Sequence, residues 1–234
     1  MRLLTGTSGY SYKEWKGSFY PDDLPAAKML PFYAEHFRTV EINNTFYRMP
    51  KADTIRTWGA QVPDGFTFAI KASRRITHNA RLRNAGDSLM FLCEQAAALG
   101  DKLGPLLFQL PPNLKVDVDR LREFLALMPA NRRAAFEFRH PSWHDEPVFA
   151  ALRDHNAALV TADTEADDRD AAQIVATADW GYLRLRRCDY TDDHLADWAR
   201  RIAAQPWTDA YVYFKHEDEG TGPALAKRFE AMGT

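Results

Sequence analysis

Five cations, three carboxylates and two amides stand at or just past the ends of short apolar runs in this chain. They are Lys71, Arg139, Arg184, Arg186 and Lys215, then Glu41, Glu137 and Asp163, then Asn43 and Gln109. In Val40-Glu41-Ile42-Asn43 the apolar and polar residues alternate, and successive strand side chains point to opposite faces. A charge on one face of such a strand needs a partner or a ligand, because burying it unpaired is costly. Glu41, Glu137, Asp163 and Lys71 are of the types that transfer protons, and a lysine can also form a Schiff base. Paired carboxylates such as Glu41 and Glu137 also suit glycoside cleavage. Because cations outnumber carboxylates in the set, a small anionic ligand such as a phosphate or carboxylate is expected. Arg139, Arg184 and Arg186 would supply guanidinium forks to it, beside Lys215, Asn43 and Gln109.

Other chemistries have weaker support. Glu41, Glu137, Asp163 and His140 are metal-donor types, which leaves a metal-dependent isomerase or hydrolase as an alternative. No HxH or HExxH spacing accompanies them, and the neighbouring cations oppose a dication, so no metal is expected. Gly6-Thr7-Ser8-Gly9 fits the dinucleotide fingerprint poorly and GxSxG is absent, so neither a cofactor nor a serine triad is expected. Cys93 and Cys188 form no CxxC pair and read as ordinary thiols. His36, His155 and His194 lie in helical patterns, whereas His78 and His216 sit in loops near the strand ends. Tyr10, Tyr12, Trp15, Phe46, Tyr47 and Trp143 suit flat walls for a sugar or base, or packing under long loops. Tyr10 and Trp143, with His140, are taken as ligand contacts.

The elements that must position these groups alternate regularly. Strands are expected at Leu3 to Thr7, Thr39 to Asn43, Phe66 to Lys71, Pro105 to Leu110, Ala134 to Arg139, Ala158 to Asp163, Tyr182 to Arg186 and Tyr211 to Lys215. Helices are expected from near Pro31, over Asp53 to Trp58, from Asp87 as cap to Leu99, over Asp119 to Met128, Glu146 to His155, Thr191 to about Ala204, and Pro223 to Met232. The crossover from Thr164 to Trp180 has only a weak helical pattern. Eight parallel βα units predict a single TIM-like (β/α)8 barrel with some shortened helices, occupying residues 1–234 as one domain. In it the bulky parity of each strand faces the helices, and the polar parity, including Thr5 and Thr7, faces inward. The carboxyl ends of the strands are where barrel enzymes keep their sites.

Composition narrows the partners. With 46% hydrophobic residues the chain can fill a core, and a net charge of −2 with a pI near 6.4 gives no general nucleic-acid footprint. Nucleic acid stays as an alternative through Arg74, Arg75, Arg81 and Arg83, in a non-catalytic binding module. The start of the chain does not fit a signal peptide and no apolar run suits a bilayer span, so a cytoplasmic protein without membrane contacts is expected. The oligomeric state leaves no mark in the sequence.

Several phrases carry a family resemblance: Gly6-Thr7-Ser8-Gly9-Tyr10-Ser11-Tyr12, Thr39-Val40-Glu41-Ile42-Asn43-Asn44-Thr45-Phe46-Tyr47, Lys102 through Pro112, and Glu137-Phe138-Arg139-His140-Pro141-Ser142-Trp143. They resemble the domain of unknown function 72 family, the YecE-like proteins, along essentially the whole chain. The resemblance implies a TIM-barrel-like fold and no established activity. Many members resemble Tyr-Phe-Asn-Asn after the last strand, where this chain reads Tyr213-Phe214-Lys215-His216.

Overall fold

The structure, a computed structural model, describes residues 1–163, 173–215 and 218–232. Most of the Thr164 to Trp180 crossover that lacks a clear helical pattern, together with His216 and Glu217, lies outside the described residues. Among those described, no helix is long and apolar enough to cross a membrane.

Eight strands form one sheet: β1 (Arg2–Thr7), β2 (Thr39–Ile42), β3 (Thr67–Lys71), β4 (Leu103–Gln109), β5 (Ala134–Glu137), β6 (Ala158–Asp163), β7 (Trp180–Leu185) and β8 (Asp209–Phe214). The order runs β1-β8-β7-β6-β5-β4-β3-β2 and every pairing is parallel. Among the described residues, seven α-helices lie between and after the strands: α1 (Met29–His36), α2 (Ala52–Ala60), α3 (Gly86–Ala96), α4 (Val118–Leu125), α5 (Glu146–Arg153), α6 (Asp192–Ala203) and α7 (Thr221–Met232). This is the expected TIM-like (β/α)8 barrel.

Helix boundaries shifted where capping differed from expectation. Pro31 lies inside the first turn of α1 rather than at its start, a place where a missing N–H costs nothing. Asp87 sits in the first turn of α3 and does not cap it. Asp117 caps α4, accepting from the Arg120 amide at 3.0 Å, and Thr191 caps α6 as its sequence suggests. Helix α3 continues as a 3-10 segment to Lys102, across Gly100 in the left-handed region.

The strands divide two cores by parity. Phe68, Ile70, Phe108, Phe136, Leu183, Leu185, Val212 and Phe214 pack outward under the helices. Inside the barrel, Ala69, Ala135, Ala158 and Val160 from β3, β5 and β6 face Trp180, Tyr182, Tyr211 and Tyr213 from β7 and β8. Large rings from two strands thus fill the space that small residues on the others leave, which is how a barrel interior reaches native density.

Strand β1 departs from the expected parity. Leu4 is its interior residue, so Gly6 and Ser8 share that face and Thr5 and Thr7 belong to the other. The joint between β1 and β2 also lacks a regular ladder. Ser8 bridges Glu41, and the Gly9 amide donates to the Glu41 carbonyl at 2.8 Å. Below that bridge the phenol of Tyr33 in α1 takes the place of backbone pairing. It accepts from the Thr7 amide at 2.8 Å and lies 3.0 Å from the Thr39 carbonyl, to which it donates. The Thr7 hydroxyl donates to the Gly9 carbonyl at 2.6 Å. Gly6 permits this approach, since a Cβ there would lie 2.1 Å from the Thr39 carbonyl oxygen.

Tyr33→Phe should therefore lower stability by about 1–3 kcal/mol in urea unfolding, because the buried Thr7 amide and Thr39 carbonyl lose their partner. Faster hydrogen exchange at the Thr7 amide should accompany the loss.

Candidate functional site

Interior parity at the carboxyl end of the barrel gathers Glu41, Asn43, Lys71, Gln109, Glu137, Arg139, Arg184 and Arg186 around one guanidinium. Arg184 of β7 is 1% exposed, Glu41 of β2 0% and Glu137 of β5 2%. The Arg184 Nη2 donates to Glu41 Oε1 at 2.9 Å and its Nη1 to Glu137 Oε2 at 2.5 Å. One arginine thereby spans the barrel and ties three strands together. Around Glu41, Asn43 Nδ2 donates to Oε1 at 3.0 Å and the Tyr182 phenol to Oε2 at 2.6 Å.

Glu137 is the more crowded carboxylate. Its Oε1 accepts from Gln109 Nε2 at 2.8 Å and Arg139 Nε at 3.2 Å, and Arg186 Nη1 lies 3.8 Å away. The Gln109 amide is oriented by its neighbours, because a carboxylate only accepts and an ammonium only donates. Its Oε1 therefore receives Lys71 Nζ, at 2.9 Å. Lys71 also sits 4.5 Å above the Phe46 ring, which His78 meets edge to face at 4.9 Å. Thr45 fixes this turn by donating to the Lys71 carbonyl at 2.7 Å.

The charges set the protonation states. Burial would raise both carboxyls, but the Arg184 charge, aided by hydrogen bonds to each, overrides it. Glu41 is held below its ordinary value and Glu137 falls to about 2, with Arg139 and Arg186 adding to the effect there. Both are ionised at neutral pH. Burial, then repulsion from Arg184, lowers Lys71 to about 8. Burial, and then Lys71, Arg139 and Arg81, lower His78 as well. Burial and Arg184 also lower Arg186.

Other sequence candidates lie elsewhere. Ala162 follows Ala158 and Val160 on the interior parity of β6, so Asp163 faces away from the barrel. Its Oδ2 accepts from the Tyr190 phenol at 2.7 Å, in a cavity of about 130 Å³ that Arg187, His194 and Trp198 also line. Trp143, expected as a ligand contact, is 0% exposed. Its ring stacks on Phe138 at 4.5 Å and its N–H donates to the Leu114 carbonyl at 2.7 Å, so it is a packing residue. His140 Nδ1 is engaged locally with Ser142 Oγ at 2.8 Å. Tyr10 packs towards Tyr33, ring centroids 6.3 Å apart. Lys215 follows Tyr213 on the interior parity of β8, at the same end of the barrel.

Tyr182, expected only as the start of a strand, and Phe46, expected only among aromatics that suit a flat wall or loop packing, complete the cluster. Strand alternation could have found Tyr182, which shares parity with Arg184, whereas nothing in a loop sequence marks Phe46 as the floor under Lys71. Among the described residues no group of three or more His, Cys, Asp or Glu side chains could hold a metal ion.

The comparisons with known proteins follow the fold. A sequence profile described as "Protein of unknown function DUF72" matches residues 4–234. UPF0759 protein YecE of Escherichia coli (strain K12) is 32% identical over 112 residues, 47% of this chain and 41% of that protein. UPF0759 protein YunF of Bacillus subtilis (strain 168) is 31% identical over 141 residues, 56% of this chain and 50% of that one. These matches span half or less of the curated relatives' length. Among solved structures, a DUF72 family protein from Thermotoga maritima is 25% identical and superposes over 99% of both chains with a TM-score of 0.88. A second, from Enterococcus faecalis, is 17% identical and covers 99% of this chain and 95% of its own, with a TM-score of 0.82.

Arg184→Met should leave two buried carboxylates without their shared cation and lower stability by about 3–5 kcal/mol in urea unfolding. The Glu137 carboxyl, followed by side-chain NMR, should then titrate well above about 2. In the unsubstituted protein a depressed carboxyl contributes stability above its ordinary value of 4.5 and loses it as pH falls from there towards about 2. Acid unfolding of the variant should lack that component.

Proposed function

This chain belongs to the DUF72 family, and we propose that it is an enzyme that holds the anionic group of a small metabolite, a phosphate or carboxylate, at the carboxyl end of its barrel and moves a proton there through Lys71. The observation that carries the reading is the charge balance around Glu137. The two carboxylates, Glu41 and Glu137, are both committed to Arg184, while Lys71, Arg139 and Arg186 add further positive charge on the same side. A partly buried cluster of that sign attracts an anion more strongly than an open surface does.

Glu41 and Glu137 serve as fixed charges in this reading. Each is ionised and saturated with donors, so neither offers a proton near neutral pH. Lys71 does. An amine brought to about 8 is mostly protonated at neutrality and still supplies a neutral fraction, which suits proton transfer to and from a group beside the bound anion. The Lys71–Gln109–Glu137 chain of hydrogen bonds aims the amine, and the Phe46 face under it shields one side from water. The non-catalytic alternative uses the same anion pocket without turnover.

Inorganic sulfate has no titrating group in the neutral range and isolates the protein's own charge. Its affinity, measured by calorimetry, should fall by about tenfold as pH rises through about 8 and Lys71 loses its proton. In Lys71→Met the affinity should be low throughout and the pH step should vanish. Sulfate affinity that ignores pH in the unsubstituted protein would remove Lys71 from the site.

A further inference from the structure

Next to the cation cluster lies a separate open cleft of about 410 Å³, lined by Tyr47, Arg48, Met49, Ser73, Arg75, Asp87, Ser88 and Phe91. Its size falls in the range of small-molecule sites. It is built from the loops that follow β2 and β3 and from the first turns of α3, so it opens at the same end of the barrel as Lys71. Tyr47 is 73% exposed and Phe91 49%, and these are the exposed aromatic side chains among the described residues. Both fall in this one cleft. Solvating two large rings at one place, when the remaining rings of the described chain are buried or partly buried, asks for something to cover them.

The cleft and the cation cluster share a wall. Phe46 lies under Lys71 Nζ at 4.5 Å, and its ring meets Tyr47 edge to face with centroids 5.1 Å apart. An anion at Lys71 and a ring on Tyr47 would therefore both border one phenylalanine, with a short spacer such as a sugar between them. Polar groups that could bond such a spacer and ring edges line the cleft: Ser73, two residues beyond Lys71, and Ser88 and Asp87 on α3. Arg48 and Arg75 enter no ion pair with the described residues, which leaves their guanidinium planes to stack on or bond to a ring.

Building on the anion pocket, we infer that the ligand is a phosphomonoester of the nucleoside monophosphate type: its phosphate at Lys71, Arg139 and Arg186, its planar ring in the cleft against Tyr47 and Phe91. The cleft supplies ring affinity and the cation cluster supplies charge, so the two halves can be probed apart.

Calorimetry with inorganic phosphate, adenosine and adenosine monophosphate separates them. The monophosphate should bind at least about tenfold tighter than inorganic phosphate. Tyr47→Ala and Phe91→Ala, both at exposed positions, should each erase several-fold of that gain and leave phosphate binding unchanged. Equal binding of phosphate and the monophosphate would overturn the inference and leave the anion pocket standing. So would a gain that both variants retain. Adenosine binding that depends on Tyr47, with no phosphate binding, would uphold the cleft and sink the anion reading instead. Failure of all three probes would sink both.

Discussion

Arg184 is the group on which the rest of the molecule depends. It is a permanent charge at the centre of a barrel whose other interior layers are alanines, aliphatics and aromatic rings, and it is buried as deeply as the residues beneath it. Such a charge persists only if its counter-charges come from the surrounding wall, and here they come from β2 and β5 on opposite sides. Two carboxylates more than offset one guanidinium and are each left with lone pairs to satisfy, which Tyr182, Asn43, Gln109 and Arg139 do. The network is costly to desolvate and costly to interrupt, so its value lies in fixing geometry as much as in net stability.

That geometry propagates outward in both directions. Below Arg184 the interior narrows to rings packed on small residues. A second ion cluster closes the opposite end, where Asp209 accepts from Arg133 at 2.6 Å and Arg2 at 2.9 Å. Above it Lys71, Arg139 and Arg186 add positive charge and exposure rises, so the same column of residues grades from dry packing to a polar, cation-rich mouth. The pKa pattern follows from this gradient. The carboxylates, paired with Arg184, are pulled down against their burial, while Lys71, unpaired with a carboxylate among the described residues, is lowered by burial and then by the Arg184 charge to about 8.

Much of this was legible in the sequence because strand alternation is a strict geometric rule. Glu41, Lys71, Gln109, Glu137, Arg139, Arg184 and Arg186 converge because each lies at or just past the carboxyl end of a strand on its polar parity, and the eight-unit pattern fixes where strands end. The rule misled where polarity and parity part company. In β6 the interior positions are Ala158, Val160 and Ala162, so the polar Asp163 points outward to Tyr190. In β1 the threonines belong to the seam and Gly6, which has no side chain to announce a parity, holds the interior face. Loops were less legible still. Trp143 and Phe46 are both aromatic and both follow a strand, yet one is sealed beneath Leu114 and the other floors the site. Only tertiary packing distinguishes them.

The seam between β1 and β2 gives the barrel a mechanical asymmetry. Seven of its joints are ladders that share load along their length, whereas this one is pinned by a phenol, a bridge and a close glycine contact. The bridge is made at Glu41, the residue whose side chain reaches Arg184. A breathing motion of the wall would begin at this weakest joint and would be transmitted directly to the central charge. In this barrel the line along which the wall can yield and the electrostatic centre of the mouth meet at a single residue, so elasticity of the scaffold and poise of the site are one property rather than two.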